Sequence, residues 1–352
     1  MNTKTYVYIG CRTTKDRNAR GKGISLYEIK EDKWELKEIF SILENPSYLC
    51  IDNKKEFLYT VHGDMNDVSS FKIKEDGKLE FLNTVRATGR NPVFITTTKN
   101  NKFLIVATLQ GGTIAMLPIL KDGSLAETVF VEKLEGLTEN GVSHAHQCYL
   151  DKTGKFLFAP TQGRQIGHER IFIFSVDEEK GKLIRLGYVQ ARTYSEPRHV
   201  AISENNKFLY LVNEKGNTIT FYEFDEYKGE LKARQILSTL PETYTAEGQA
   251  SAVVIHPNGE YLYASNRIHE SIAIFKINKN TGFLTLLGFT NVLGKTPRFI
   301  MIHPNKKQLI VANEDSDTIK IFDIDEEYGT LKFSGLSIET ESPTCVTFYS
   351  KE

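Results

Sequence analysis

His146, Arg198, Glu214, Arg267, Arg298 and Glu314 are residue types that hold anions and move protons, and they fall at two recurring positions of the chain. An arginine presents a fixed fork of donors to a phosphate or carboxylate. A histidine beside a carboxylate is suited to proton transfer near neutral pH. Together they suit a small anionic molecule whose reaction needs a proton moved. Arg12, His144, His199 and Asn266 lie close to them in the same pattern. The His144-Ala145-His146 spacing also puts both rings on one face of a strand, as a metal site would. No third ligand stands at an obvious spacing, so neither a metal nor another cofactor is expected.

The elements that must position these residues come from a repeat, which is sought first because missing it miscalls the fold. Segments resembling Asn45-Pro46-Ser47-Tyr48-Leu49 recur with anchors at Pro46, Pro92, Ala145, Pro197, Ala250, Pro297 and Pro343, in steps of 46, 53, 52, 53, 47 and 46 residues. A leucine follows each of the first six anchors by 12 residues: Leu58, Leu104, Leu157, Leu209, Leu262 and Leu309. Each unit then carries a run alternating with period two, such as Ser271-Ile272-Ala273-Ile274-Phe275, and a final run after a glycine turn, such as Gly229-Glu230-Leu231. Alternation bounded by Gly, Asn and Asp is the hairpin signature. Four strands per unit of this length is the period of a β-propeller. The last unit is cut short after Pro343–Phe348, and the first 41 residues supply three strands, Tyr6–Ile9, Gly23–Ile29 and Trp34–Ser41. The two chain ends are therefore expected to share a blade and close the ring, leaving no open sheet edge. The expectation is all-β: one domain spanning residues 1–352, a seven-bladed β-propeller of four-stranded antiparallel blades. Residues 11–22 and 162–170 read as polar loops over one face.

In a propeller blade the first strand lines the channel and the second runs antiparallel beside it. The start of one and the end of the other meet at one mouth, where the residue after each anchor converges with the ends of the second strands. That mouth collects the charged set, and ligands bind where polar groups converge in a concavity. Plainer roles compete. Asn213, Asn266 and Asn313 recur by position and suit turn caps; Arg198 and Arg267 could serve as bridges between blades; His199 could pack inward; His256 and His303 sit in His-Pro-Asn turns at the far end.

Composition bounds the partners. Forty-four basic residues against 45 acidic give a net charge of -1, which argues against a nucleic-acid ligand. Cys11, Cys50, Cys148 and Cys345 form no CxxC pair, and three of them sit in apolar strand patterns, so buried thiols are expected. The chain shows neither a signal-peptide core nor an apolar run long enough to cross a bilayer, so no membrane contact and a cytoplasmic location are expected. The outer strands carry no clear apolar stripe that would fix an oligomeric state.

These residues resemble the lactonase family of seven-bladed propellers, whose activities include cytoplasmic 6-phosphogluconolactonase and carboxy-cis,cis-muconate cyclase. The resemblance spans nearly the whole chain and rests on Tyr8-Ile9-Gly10, Asn45-Pro46-Ser47-Tyr48-Leu49, Ser143-His144-Ala145-His146, Pro197-Arg198-His199, Val212-Asn213-Glu214, Tyr263-Ala264-Ser265-Asn266-Arg267 and Val311-Ala312-Asn313-Glu314-Asp315. It implies a catalytic quartet of one His, two Arg and one Glu, here His146, Arg198, Glu214 and Arg267. His144, His199, Arg298, Glu314, Asn266 and Arg12 are then candidates to touch substrate. The implied reaction is hydrolysis of an anionic sugar lactone without a cofactor, with His146 or Glu214 activating water; the alternatives are a cycloisomerase or a non-catalytic scaffold. The chain departs from the family pattern at Cys11-Arg12-Thr13, His62-Gly63, Thr108-Leu109 and Thr161-Gln162-Gly163 with the basic stretch Arg164 to Arg170. The resemblance therefore carries fold and reaction class further than it carries the substrate.

Overall fold

Strands form where the period-two runs predict them, because alternation buries one side chain in two on each face of a pleated ribbon. The computed structural model describes residues 4–31 and 33–350. They make seven antiparallel sheets. Blade 1 is Pro46–Ile51, Phe57–His62, Asp67–Ile73 and Leu79–Arg86, ordered from the channel outward. The inner two strands of the next blades are Pro92–Thr97 with Phe103–Thr108, then a broken strand (His144–Ala145 and Tyr149–Leu150) with Phe156–Gln162. Blades 4, 5 and 6 begin Pro197–Ile202 with Phe208–Asn213, Gln249–Ile255 with Tyr261–Arg267, and Pro297–Ile302 with Gln308–Asn313. Blade 7 joins the chain ends: Pro343–Ser350 is innermost, followed by Thr5–Cys11, Ile24–Lys30 and Lys33–Phe40. The shared blade is thus as expected, with strand limits moved by one or two residues. A 3-10 turn at Lys15–Arg17 is the one helical element among the described residues.

The core is not central. Seven apolar clusters lie one between each pair of adjacent blades. The six repeat leucines, Leu58, Leu104, Leu157, Leu209, Leu262 and Leu309, are each 0% exposed. Tyrosines tie blade to blade: Tyr8 Oη donates to the Gly77 carbonyl at 2.6 Å and Tyr263 Oη to the Gly329 carbonyl at 2.9 Å. Both glycines sit at positive φ, +78° and +69°, in the outer turn, and a Cβ on Gly329 would come within 2.2 Å of the Tyr261 ring. Only glycine meets both demands there.

Each inner strand carries one residue more than its partner. The register shifts between Pro46 and Tyr48, Pro92 and Phe94, Pro197 and His199, Ala250 and Val253, and Pro297 and Phe299. Blade 7 shifts where Cys11 pairs with Pro343 and Gly10 with Cys345. Blade 3 gains its extra residue between Ala145, paired with Thr161, and Tyr149, paired with Phe158. A bulge of this kind re-aims a side chain. Here it does so at one end of the channel in every blade.

Deleting Pro343–Glu352 would leave Thr5–Cys11 without its inner partner and open two of the seven wedges. The expected outcome is a broadened, lower thermal transition and aggregation on size exclusion; a truncated chain that melts like the full one would contradict closure by the shared blade. Leu262→Ala should cost about 2–5 kcal/mol in urea unfolding, as for other fully buried leucines.

Candidate active site

The bulges build the site in two layers. The residue after each anchor forms the mouth layer: Ser47, Val93, His146, Arg198, Ser251, Arg298 and Thr344. The next residue in four blades forms an aromatic floor. Tyr48 and Phe94 lie 4.3 Å apart between ring centroids, Phe94 and His199 6.0 Å, and Tyr48 and Phe299 6.3 Å. Arg12, Ser47, Tyr48, Val93, His146, Arg198, His199, Arg298, Phe299 and Thr344 line one narrow cavity above that floor. Tyr48, His199 and Phe299 also line a second cavity, of about 340 Å³, toward the opposite end.

Glu214, at the end of the second strand of blade 4, organises the mouth. Its Oε2 lies 3.2 Å from Arg198 Nε and accepts Gln162 Nε2 at 2.8 Å, while its Oε1 lies 3.1 Å from Arg267 Nη2. Blades 3, 4 and 5 therefore meet on one carboxylate. Burial opposes its charge, but Arg267, Arg198 and the Gln162 amide outweigh burial and hold the carboxyl down at about 2. Arg198 is 2% exposed and also donates Nη1 to the Ser251 carbonyl at 2.7 Å; Arg267 donates Nη2 to the Ala250 carbonyl at 3.2 Å. Both guanidiniums are thus oriented by the bulge backbone of blade 5 as well as by Glu214.

His146 packs edge-on against His199, with centroids 5.1 Å apart. Burial, reinforced by the charges of Arg198, Arg298 and Arg164, pushes its imidazole well below the ordinary 6.5. His199 is lowered likewise, by burial and then by Arg198 and His146. His146 is therefore neutral at pH 7. His146 Nδ1, Arg198 Nε and Arg267 Nε are buried without a hydrogen-bond partner. The Arg198 N–H is close to Glu214 but not aimed at it. Buried polar atoms are seldom left so, and three of them fall within the quartet.

A second charged group lies across the mouth. Arg298 Nη1 is 3.3 Å from Glu314 Oε2, and Arg12 Nε is 3.1 Å from Glu314 Oε1. Arg12 also pairs with Asp64 at 2.7 Å, and Arg17 closes on the same carboxylate. Burial and the nearby Arg298 bring the Arg12 guanidinium down to about 10.

Several expectations need correction. Asn266 does not face the mouth: it is 0% exposed and spends its amide on the Thr239 carbonyl and Ser271 Oγ, which makes it a corner cap. His144, a candidate to touch substrate, does not line the cavity with His146. The inner strand breaks after Ala145, His144 Nδ1 turns to the Leu109 carbonyl at 2.8 Å, and the cavity takes His146 alone. His199, named as a candidate to touch substrate, does line the cavity, because the bulge at Arg198 cancels the alternation that would turn it inward. Arg170 lies away from the mouth, over the Tyr188 ring at 3.8 Å, although Arg164 does reach Gln162 at 2.9 Å. Sequence reasoning missed Gln162 as a partner of Glu214, and Glu169, whose Oε2 accepts Ser195 N at 2.6 Å and Glu196 N at 3.2 Å just before Arg198. Glu196 holds φ +52°, a left-handed conformation with no glycine or asparagine to announce it. The thiols are free, with Cys11, Cys148 and Cys345 buried. Among the described residues no group of three His, Cys, Asp or Glu could hold a metal ion.

Residues 6–348 match the sequence pattern of the family described as Lactonase, 7-bladed beta-propeller. The chain belongs to this lactonase family. A 6-phosphogluconolactonase of Bacillus subtilis is 26% identical over 304 residues, covering 84% of each chain. A provisionally named 6-phosphogluconolactonase of Bacteroides uniformis has a crystal structure with 30% identity and TM-score 0.88, covering 99% of this chain and 100% of its own. The periplasmic gluconolactonase PpgL of Pseudomonas aeruginosa shares the fold, with TM-score 0.88 at 24% identity over 98% of this chain and 99% of its own. No helix among the described residues is long and apolar enough to cross a membrane.

The lactonase-family site makes a stability prediction. Glu214→Ala strands Arg198 as an uncompensated buried charge and should cost about 3–5 kcal/mol in urea unfolding. Glu314→Ala should cost less, because Arg298 is 20% exposed in its side chain against 2% for Arg198 and buried Arg12 keeps Asp64 as a partner. Equal losses would mean that Glu214 is not the organising carboxylate.

Proposed function

We propose that this protein hydrolyses the ester bond of an anionic sugar lactone, of the 6-phosphogluconolactone type, at the Arg198–Glu214–Arg267 end of the channel. The observation that carries the reading is a buried imidazole, His146, lining one cavity with Arg198, whose guanidinium shares the Glu214 carboxylate with Arg267. Neutral His146 takes a proton from water, and the water oxygen attacks the ring carbonyl carbon. The oxyanion that develops lies against Arg198 and Arg267, whose fixed donors stabilise it in a site from which water is largely excluded. The ring C–O bond then breaks, and the proton on His146 passes to the departing alkoxide. The product is the open hydroxy acid, with no atom unaccounted for. Glu214, held at about 2, is too weak a base for the first step. It stays ionised and fixes the two guanidiniums. A cytoplasmic setting belongs to the same reading.

The experiment is hydrolysis of 6-phosphogluconolactone by wild type, His146→Ala and Arg267→Ala, corrected for the spontaneous rate. Arg267→Ala should lower kcat/KM by about 10²–10³-fold, as loss of an oxyanion donor does, and His146→Ala by about 10²–10⁴-fold, each with its fold retained by circular dichroism. Absence of a wild-type rate would overturn the substrate. An undiminished rate in both variants would overturn the site.

The pH profile follows from the direction of the His146 shift. The basic form is needed, and its pKa lies below 6.5. Activity should therefore be flat through neutrality and fall only as pH drops below 6.5. A rate that halves between pH 8 and 7 would exclude His146 as the base.

A further inference from the structure

The mouth contains the same triad twice. Arg198 and Arg298 occupy the position after the anchor in blades 4 and 6, and Glu214 and Glu314 end the second strands of those blades. The next blade round the ring supplies the second arginine in each case, Arg267 from blade 5 and Arg12 from blade 7. The geometry repeats too: 3.2 and 3.1 Å about Glu214, 3.3 and 3.1 Å about Glu314.

The copies differ in what the preceding blade contributes. Blade 3 places His146 beside Arg198. Blade 5 places Ser251 beside Arg298, and that serine is already committed: its carbonyl accepts Arg198 Nη1 at 2.7 Å and its hydroxyl donates to the Arg298 carbonyl at 2.8 Å. The second triad thus keeps the cations and lacks the proton carrier. It is also the more open, with side-chain exposure of 20% for Arg298 against 2% for Arg198. Arg12 and Arg298 share Glu314, while Arg12 and the more exposed Arg17 share Asp64. A bridge between blades 6 and 7 needs only Arg12 and Glu314. A further arginine lining the same cavity as His146 costs desolvation and is better explained by a ligand.

We propose that Arg298, oriented by Glu314 and seconded by Arg12, is a separate anion-holding subsite that takes the permanent charge of the lactone, a phosphate or a carboxylate, while the ring carbonyl meets His146, Arg198 and Arg267. This rests on the hydrolase reading for the position of the carbonyl. It divides the arginines by task, one pair for the developing oxyanion and the other for the permanent charge.

The test is calorimetric binding of 6-phosphogluconate, glucarate and gluconate, the open acids with a distal phosphate, a distal carboxylate or neither. Wild type should bind 6-phosphogluconate or glucarate more tightly than gluconate, and which of the two gains identifies the group. Arg298→Ala should weaken that ligand about 10- to 100-fold, the worth of lost charge-assisted hydrogen bonds, and gluconate by less than about threefold. Arg298→Lys should restore part of the preference. Equal weakening of all three ligands, or a fall in melting temperature with no change in preference, would assign Arg298 to a structural bridge. A wild type with no preference for either 6-phosphogluconate or glucarate over gluconate overturns the subsite. Because binding is read apart from turnover, an Arg298-dependent preference in a protein that opens no lactone would retain the subsite and remove the hydrolase reading.

Discussion

Every inner strand has to fit one residue more than the strand it pairs with, and the mouth of the channel is made by that mismatch. In a regular strand two successive side chains leave on opposite faces. The bulge removes this rule at one point per blade, so Arg198 and His199, Arg298 and Phe299, and Ser47 and Tyr48 can all line the same cavity. The first of each pair forms the polar mouth. The second, where it is aromatic, closes the channel beneath it. A largely polar layer thus lies directly on an aromatic floor.

The charges survive burial because they are shared. One carboxylate, Glu214, holds two guanidiniums and an amide from three blades, and the bulge carbonyls of Ala250 and Ser251 take further donors. Burial first, and then the charges of Arg198, Arg298 and Arg164, hold the His146 imidazole well below its ordinary range. Both properties come from where blades meet, not from any one blade. The apolar clusters between the blades fix those meetings, since each wedge is packed against the next and none is a core by itself. Closure by the chain ends makes the last wedge equal to the others.

Internal repetition gives the mouth a second use of one design. Two blades apart, the same positions carry Arg and Glu again, and one neighbour changes from His146 to Ser251; in the proposed reaction that change separates holding a charge from moving a proton. A ring built from equivalent units makes such division simple, because each unit offers the same two positions to the channel and differs only in the residue placed there.

The sequence by itself determined the repeat, the count of seven blades, the shared closing blade and the two positions that supply the mouth. These follow from local periodicity: anchors, buried leucines and glycine turns each announce themselves within a few residues. It also placed Arg198, Glu214, Arg267, Arg298, Glu314 and Arg12 near one another, since equivalent positions of a ring must converge. Only the tertiary structure decided which side chains face that mouth. Asn266 turned to cap a corner, His144 turned to the neighbouring blade, His199 came into the channel, and Gln162 closed on Glu214. The bulge that decides His199 has no residue signature beyond the anchor, and the left-handed turn before it is carried by residues as different as Asn45, Glu196 and Thr296. Two of the partners of Glu214, Gln162 and Arg267, lie about 50 residues away in either direction on other blades. Pairings of that range depend on how wedges pack around a closed ring, and no local pattern in the chain encodes them.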